Sequence, residues 1–156
     1  MSTTFAVDSS CMVAAVCGWH EHHAAAAAAI EHRLDSGQRL AVPAHALVET
    51  YAVLTRLPAP HRLSPADAWA VVKGNFVDHA TVATLDAVAH VTVLDRLAGN
   101  GVAGGRSYDA IIGAAAVDAG AAELLTFNAK HFDATGGHIT VIDPADDTRP
   151  RKRRYK

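Results

Sequence analysis

Short apolar runs alternate along the chain with longer segments whose apolar positions recur every three or four residues. Residues 3–7 form a β-prone run, ended by Asp8, Ser9 and Ser10, which offer N-cap oxygens to an apolar helix. A second helix is predicted over 19–36, built on an alanine run and stopped at Gly37, and a short buried strand over 39–42. Pro43 opens a third helix, in which Leu47, Val48, Tyr51, Val53, Leu54 and Leu57 keep helical spacing until Pro58 and Pro60 end it. Ser64 with Pro65 starts a fourth, with Trp69, Val72 and Phe76 as the expected inner stripe. Residues 81–85 alternate weakly as a strand, 86–97 predict a helix, and the glycine-rich 99–105 predicts a turn or mobile loop. A helix over 108–119 ends at Gly120, and strands follow at 123–127 and 139–142.

Short strands separated by helices, with no hairpin signal between them, describe βαβ units. The expected fold class is α/β, with a parallel sheet covered on both faces. No internal repeat divides the chain, and the glycine cluster precedes a helix without following a strand, which argues against a dinucleotide site. The expected organisation is one domain over 1–147 and a basic tail over 148–156.

Composition narrows this further. The chain has 156 residues, 50% of them hydrophobic, which excludes disorder and fits a single core; its 33 alanines make that core small-residue and aliphatic. The longest apolar run, 24–30, is far below the roughly 18 residues that span a bilayer. No basic residue precedes the first apolar stretch, and Asp8 interrupts it, so it does not read as an export signal. Cys11 and Cys17 lie in one expected helix with neither disulfide-framework nor zinc spacing, and a reducing cytoplasm is expected. Residues 149–156 carry six of the 14 basic residues, leaving eight against all 16 acids, or about −8, for the body. The tail reads either as an untied end or as a contact for nucleic acid.

In parallel α/β sheets, ligands bind beyond the carboxyl ends of the strands, so acids there are the first candidates for chemistry. Asp8 occupies such an end, though Asp is also a good N-cap. Glu49 is the single acid in the apolar helical stretch 46–54, where an unpaired carboxylate needs a cation or an exposed face. Asp109 is the single acid of 108–114, either a ligand or a helix-start acid favoured by the macrodipole.

In this order, Ala6-Val7-Asp8-Ser9-Ser10, Leu47-Val48-Glu49, Tyr108-Asp109-Ala110-Ile111-Ile112 and Leu124-Leu125-Thr126-Phe127-Asn128 resemble the motifs of the PIN domain. The closer likeness is to VapC-type toxin ribonucleases of bacterial toxin–antitoxin pairs, and it covers nearly the whole chain through Ile142. The resemblance implies a three-layer fold with a short, mostly parallel central sheet. It also implies a metal-dependent endoribonuclease that cleaves tRNA or rRNA, with Asp8, Glu49 and Asp109 as both catalytic residues and ligands of Mg²⁺ or Mn²⁺. Clustered carboxylate oxygens suit such hard cations. Ser9, Thr126 and Asn128 are implied in supporting roles, Thr126 by hydrogen bonding to a carboxylate or a metal water. The implied partners are a cognate VapB-type antitoxin, a second copy in a homodimer, and promoter DNA only through the antitoxin. Apolar segments around Leu57 and Trp69 are the expected partner surface, and no membrane is involved.

One departure stands out. The family commonly has another acid where this chain has Asn128, which removes a negative charge and weakens the case for a second ion. Asp133 could substitute only if the chain folds back. The alternative function is therefore a catalytically weakened module serving as an antitoxin-binding subunit of a DNA complex. A phosphate-accepting receiver fits less well, because these acids lie on helices and are not paired after the first strand. The run Trp19-His20-Glu21-His22-His23 lacks zinc-site spacing and reads as a solvated helix start, while His131 reads as an RNA contact or a plain surface residue.

Overall fold

The computed structural model describes residues 2–132 and 138–147; Asp133 and the basic tail lie outside them. Among the described residues the strands are β1 (Thr4–Val7), β2 (Arg39–Pro43), β3 (Thr81–Ala83), β4 (Glu123–Leu125) and β5 (Thr140–Ile142). All pair in parallel, in the order β3-β2-β1-β4-β5. The helices are α1 (Ser9–Val16), α2 (His23–Asp35), α3 (Ala44–Arg56), α4 (Pro65–Phe76), α5 (Ala87–Gly99), α6 (Arg106–Asp118) and α7 (Pro144–Asp147), with a 3₁₀ turn at Ala129–Phe132.

Successive side chains of a strand point to opposite faces, yet Phe5, Ala6 and Val7 of β1 are all fully buried. Helices therefore cover both sides of the sheet, as the uninterrupted apolar run required. The chain grows outward from β1 through β2 to β3, then returns through α5 and α6 to place β4 on the other side of β1. That reversal opens a crevice between the carboxyl ends of β1 and β4.

Several boundaries differ from the expectation. The predicted second helix begins only at His23, because residues 17–22 turn, with His20 N–H bonding Cys17 O and His23 N–H bonding His20 O. Cys17 caps α1 and lies outside it; both cysteines are free and buried. On α4 Val72 and Phe76 face inward as expected, but the third inner position is Ala68 and not Trp69, which is 46% exposed. A small residue is the one that fits there, where α4 packs with Val13, Cys17 and Leu54 of α1 and α3 in a second core.

Arg33 joins three elements at the amino end of the sheet. Its guanidinium donates to both carboxylate oxygens of Asp147 on α7, at 2.8 and 3.0 Å, and approaches Glu123 of β4 at 3.3 Å. It also donates to Ala29 O at 3.0 Å. Asp147 first, with Glu123 behind it, holds the guanidinium charged despite burial. Replacing one partner of such a network leaves the others uncompensated. Arg33→Met is expected to lower unfolding free energy by about 3 kcal/mol in urea titrations. A loss below roughly 0.5 kcal/mol, the scale of a surface substitution, would show that the network is unimportant.

Candidate active site

The crevice is built first from Asp8, which ends β1 and caps α1. Its Oδ1 accepts from Ser10 Oγ at 2.7 Å and from Cys11 N–H at 3.0 Å, and its Oδ2 accepts from Thr126 Oγ1 at 2.5 Å. N-cap and carboxylate-cluster readings thus hold together in one side chain. Thr126 is fully buried at the end of β4, and its hydroxyl oxygen accepts from Asn128 N–H at 2.9 Å, which aims the hydroxyl proton at Asp8. Ser10 Oγ also accepts from Phe127 N–H at 3.0 Å, so this one hydroxyl ties the ends of β1 and β4 together.

Glu49 faces the same edge from α3. Its Oε2 accepts from Ser9 Oγ at 2.7 Å, and its Oε1 lies 3.0 Å from His45 Nε2, one helical turn back. His45 stacks on Tyr108 of α6 at 5.1 Å between ring centres, which joins α3 to α6 beside Glu49 and Asp109. Asp109 is largely buried in the first turn of α6, with Oδ2 3.1 Å from His131 Nδ1 on the 3₁₀ turn. His131, read from sequence as an RNA contact or a surface residue, is half exposed and paired with this acid.

The three acids interact electrostatically. Burial pushes the Asp8 carboxyl from 3.8 up to about 6, against hydrogen bonds from Thr126, Cys11 and Ser10, and Asp109 pushes it further up. Burial also raises Asp109; His131 opposes this, and the charge of Glu49 adds to it. The donor chemistry, carboxylate oxygens of one buried and two part-buried acids, fits a hard divalent cation. The arrangement does not yet converge: among the described residues, no three His, Cys, Asp or Glu side chains stand where they could hold one ion. Glu49 is held by Ser9 and His45, and Asp109 by His131. Asn128 is exposed and contributes its backbone N–H to Thr126.

Sequence reasoning missed Ser10, His45 and Tyr108. The spacing of His45 four residues before Glu49 was a readable signal. The Ser10 to Phe127 bond was not readable, because it spans 117 residues.

A cavity of about 960 Å³ between α5 and α6 opens on Asp109. Arg96, Arg106, Lys130 and His131 line it with Asp109, and His131 and Arg106 lie close to that acid. Asp86 and Asp118 line it as well.

A PIN domain family model matches residues 5–137. Ribonuclease VapC40 of Mycobacterium tuberculosis is 44% identical over 121 residues, covering 78% of this chain and 84% of that protein. The crystal structure of VapC20 from the same organism, a sarcin-ricin loop cleaving toxin, superimposes with a TM-score of 0.62 at 19% identity, over 81% of this chain and 92% of that one. A chain of DNA-bound VapBC from Salmonella typhimurium does so with a TM-score of 0.64 at 22% identity, over 92% and 99%. At these identities the two structures speak to the fold, while the family model and the relative speak to kinship.

The raised Asp8 carboxyl has a thermodynamic signature. Between about pH 4 and about 6 the folded chain keeps a proton that the unfolded chain has released, so stability falls as pH rises through that window. Asp8→Asn keeps the cap and removes the ionisation. Its stability relative to the unchanged chain is expected to rise by on the order of 2 kcal/mol between pH 4 and pH 7.5, read from urea unfolding at both pH values. A difference that does not change with pH would mean that Asp8 ionises normally.

Proposed function

The chain belongs to the PIN domain family and is kin to VapC ribonucleases; from that premise we propose that it is the toxin of a VapBC-type pair, a divalent-cation-dependent endoribonuclease. The observation that carries this reading is the gathering of Asp8, Glu49 and Asp109 at the switch point of a parallel sheet, with Asp8 held by Thr126, Glu49 by Ser9 and His45, and His45 stacked on the neighbour of Asp109. Acids gathered at such a place are unfavourable for folding and suited to a cation.

Asp8, Glu49 and Asp109 are the residues that hold Mg²⁺ or Mn²⁺ in this proposal. When bound, such a cation supplies Lewis acidity toward water and phosphate oxygen. The remaining work belongs to the chain. Thr126 and Ser10 fix the Asp8 carboxylate, and Ser9 and His45 do the same for Glu49 until an ion arrives. Arg96, Arg106 and Lys130 offer charge to RNA phosphates in the groove that Asp109 lines, in a body whose net charge is otherwise acidic.

A substrate of the tRNA or rRNA class is supported by VapC20, described as cleaving the sarcin-ricin loop. A VapB-type antitoxin, through which promoter DNA is reached, is supported by likeness to a VapBC chain. A homodimer is supported by exposed apolar side chains, Val88, Val91 and Leu94 on α5 and Trp69 in the region expected from sequence. Among the described residues no helix is long and apolar enough to cross a membrane, and a cytoplasmic site of action is proposed with the RNA substrate.

Asp109→Asn removes one ligand charge while keeping size. Metal-dependent cleavage of an RNA pool is expected to fall at least a hundredfold, with folding unchanged by circular dichroism. Full activity in this variant would overturn the assignment. Inactivity of the unchanged chain with rescue by Asn128→Asp would instead favour the weakened module, the reading that Asn128 keeps open.

A further inference from the structure

The run Trp19-His20-Glu21-His22-His23 has no part in the site described so far, and among the described residues it forms no metal cluster. Its rings form a row. His61 stacks on Trp19 at 4.1 Å between ring centres; Trp19 and His20 are 5.9 Å apart, and His20 and His22 are 5.7 Å apart. His22 stacks on Phe127 at 4.5 Å, with the planes 17° apart. Phe127 lies between Thr126 and Asn128, and its N–H is bonded to the same Ser10 hydroxyl that holds Asp8. The inner end of the row is thereby pinned to the carboxylates. Its outer end is open, with Trp19 50% exposed and His61 exposed.

We propose that this row is a base-stacking platform for single-stranded RNA, on which nucleotides flanking the cleaved phosphate lay their bases against His22 and Trp19. The proposal rests on the nuclease reading and adds to it the part of the substrate that is recognised. Every nucleobase has a π-face, so aromatic rings in sequence hold single strands with little demand on base identity. Placement supports this occupant. Arg106 and Lys130 line the α5–α6 groove beside Asp109 and suit phosphates, whereas the ring row is tied through Phe127 and Ser10 to Asp8, carries no Lys or Arg and has Glu21 beside His22, so it suits bases and not phosphates. His22 caps α2 without a side-chain hydrogen bond to the helix, so its ring is not required for capping.

The chain has two tryptophans, so Trp69→Phe leaves Trp19 as the sole emitter. In that full-length background, with Asp109→Asn to stop turnover, a short single-stranded oligoribonucleotide is expected to quench Trp19 fluorescence, and an abasic ribose-phosphate oligomer to leave it unchanged. His22→Ala should weaken oligonucleotide binding roughly tenfold. With Asp109 intact, Trp19→Ala should raise KM roughly tenfold with kcat little changed, and Trp19→Phe should restore it. Equal responses to the base-bearing and abasic oligomers overturn the platform. So does a Trp19 signal that answers only to a VapB-type antitoxin, which would make the row a protein contact. Cleavage that survives Asp109→Asn defeats the nuclease reading itself, whereas cleavage lost with Trp19 silent defeats the platform alone.

Discussion

The hydrogen bonding of one buried carboxylate, Asp8, is the constraint on which the crevice depends. Three donors reach it, from residues 10, 11 and 126, and two of those donor groups are themselves held by the backbone at Phe127 and Asn128. The ends of β1 and β4 are therefore locked to each other through side chains as well as through the sheet, where Asp8 N–H already bonds Leu125 O. A charge taken out of water is tolerable only when its lone pairs are satisfied, and even so burial holds this carboxyl well above its ordinary range. Asp8 is held in place at a cost to the stability of the fold.

The two ends of the sheet handle buried charge in opposite ways. At the amino end, the Arg33 cation meets two carboxylates and a carbonyl, and the network is complete within the chain. At the carboxyl end, acids gather, relieved by hydroxyls, by the Cys11 N–H, by the histidines beside Glu49 and Asp109 and by the charge of Arg106. A charge-balanced network serves structure. An unbalanced one, placed at the topological switch point beside a groove that Arg96, Arg106 and Lys130 line together with Asp86 and Asp118, suits the ion and the polyanion proposed for it.

Much of this was readable from local pattern. The uninterrupted apolar strands announced a sheet buried on both faces, and one acid per apolar segment singled out Asp8, Glu49 and Asp109 because burying a lone charge demands a reason. What escaped was long-range or rested on shape. The network joining Arg33 to Asp147 spans 114 residues, and no periodicity signals it. Trp69 and Ala68 differ by one helical step, and only the closeness of α1 and α3 decides that the smaller one turns inward. The spacing of the histidine run gave no zinc signal, and its stacking on Phe127 depends on a turn that replaced the expected first turns of α2.

In the proposed function Asp8, Glu49 and Asp109 act as one cation site. Calorimetric titration with Mn²⁺ at pH 6, repeated in two buffers of different ionisation heat, tests it most directly. Asp8 is part-protonated at that pH, and a cation drives the proton off. The account predicts binding of Mn²⁺ with release of a fraction of a proton to buffer, and loss of both the tight binding and the release in Asp109→Asn. Binding of equal strength in Asp109→Asn, or binding with no proton release, would contradict it.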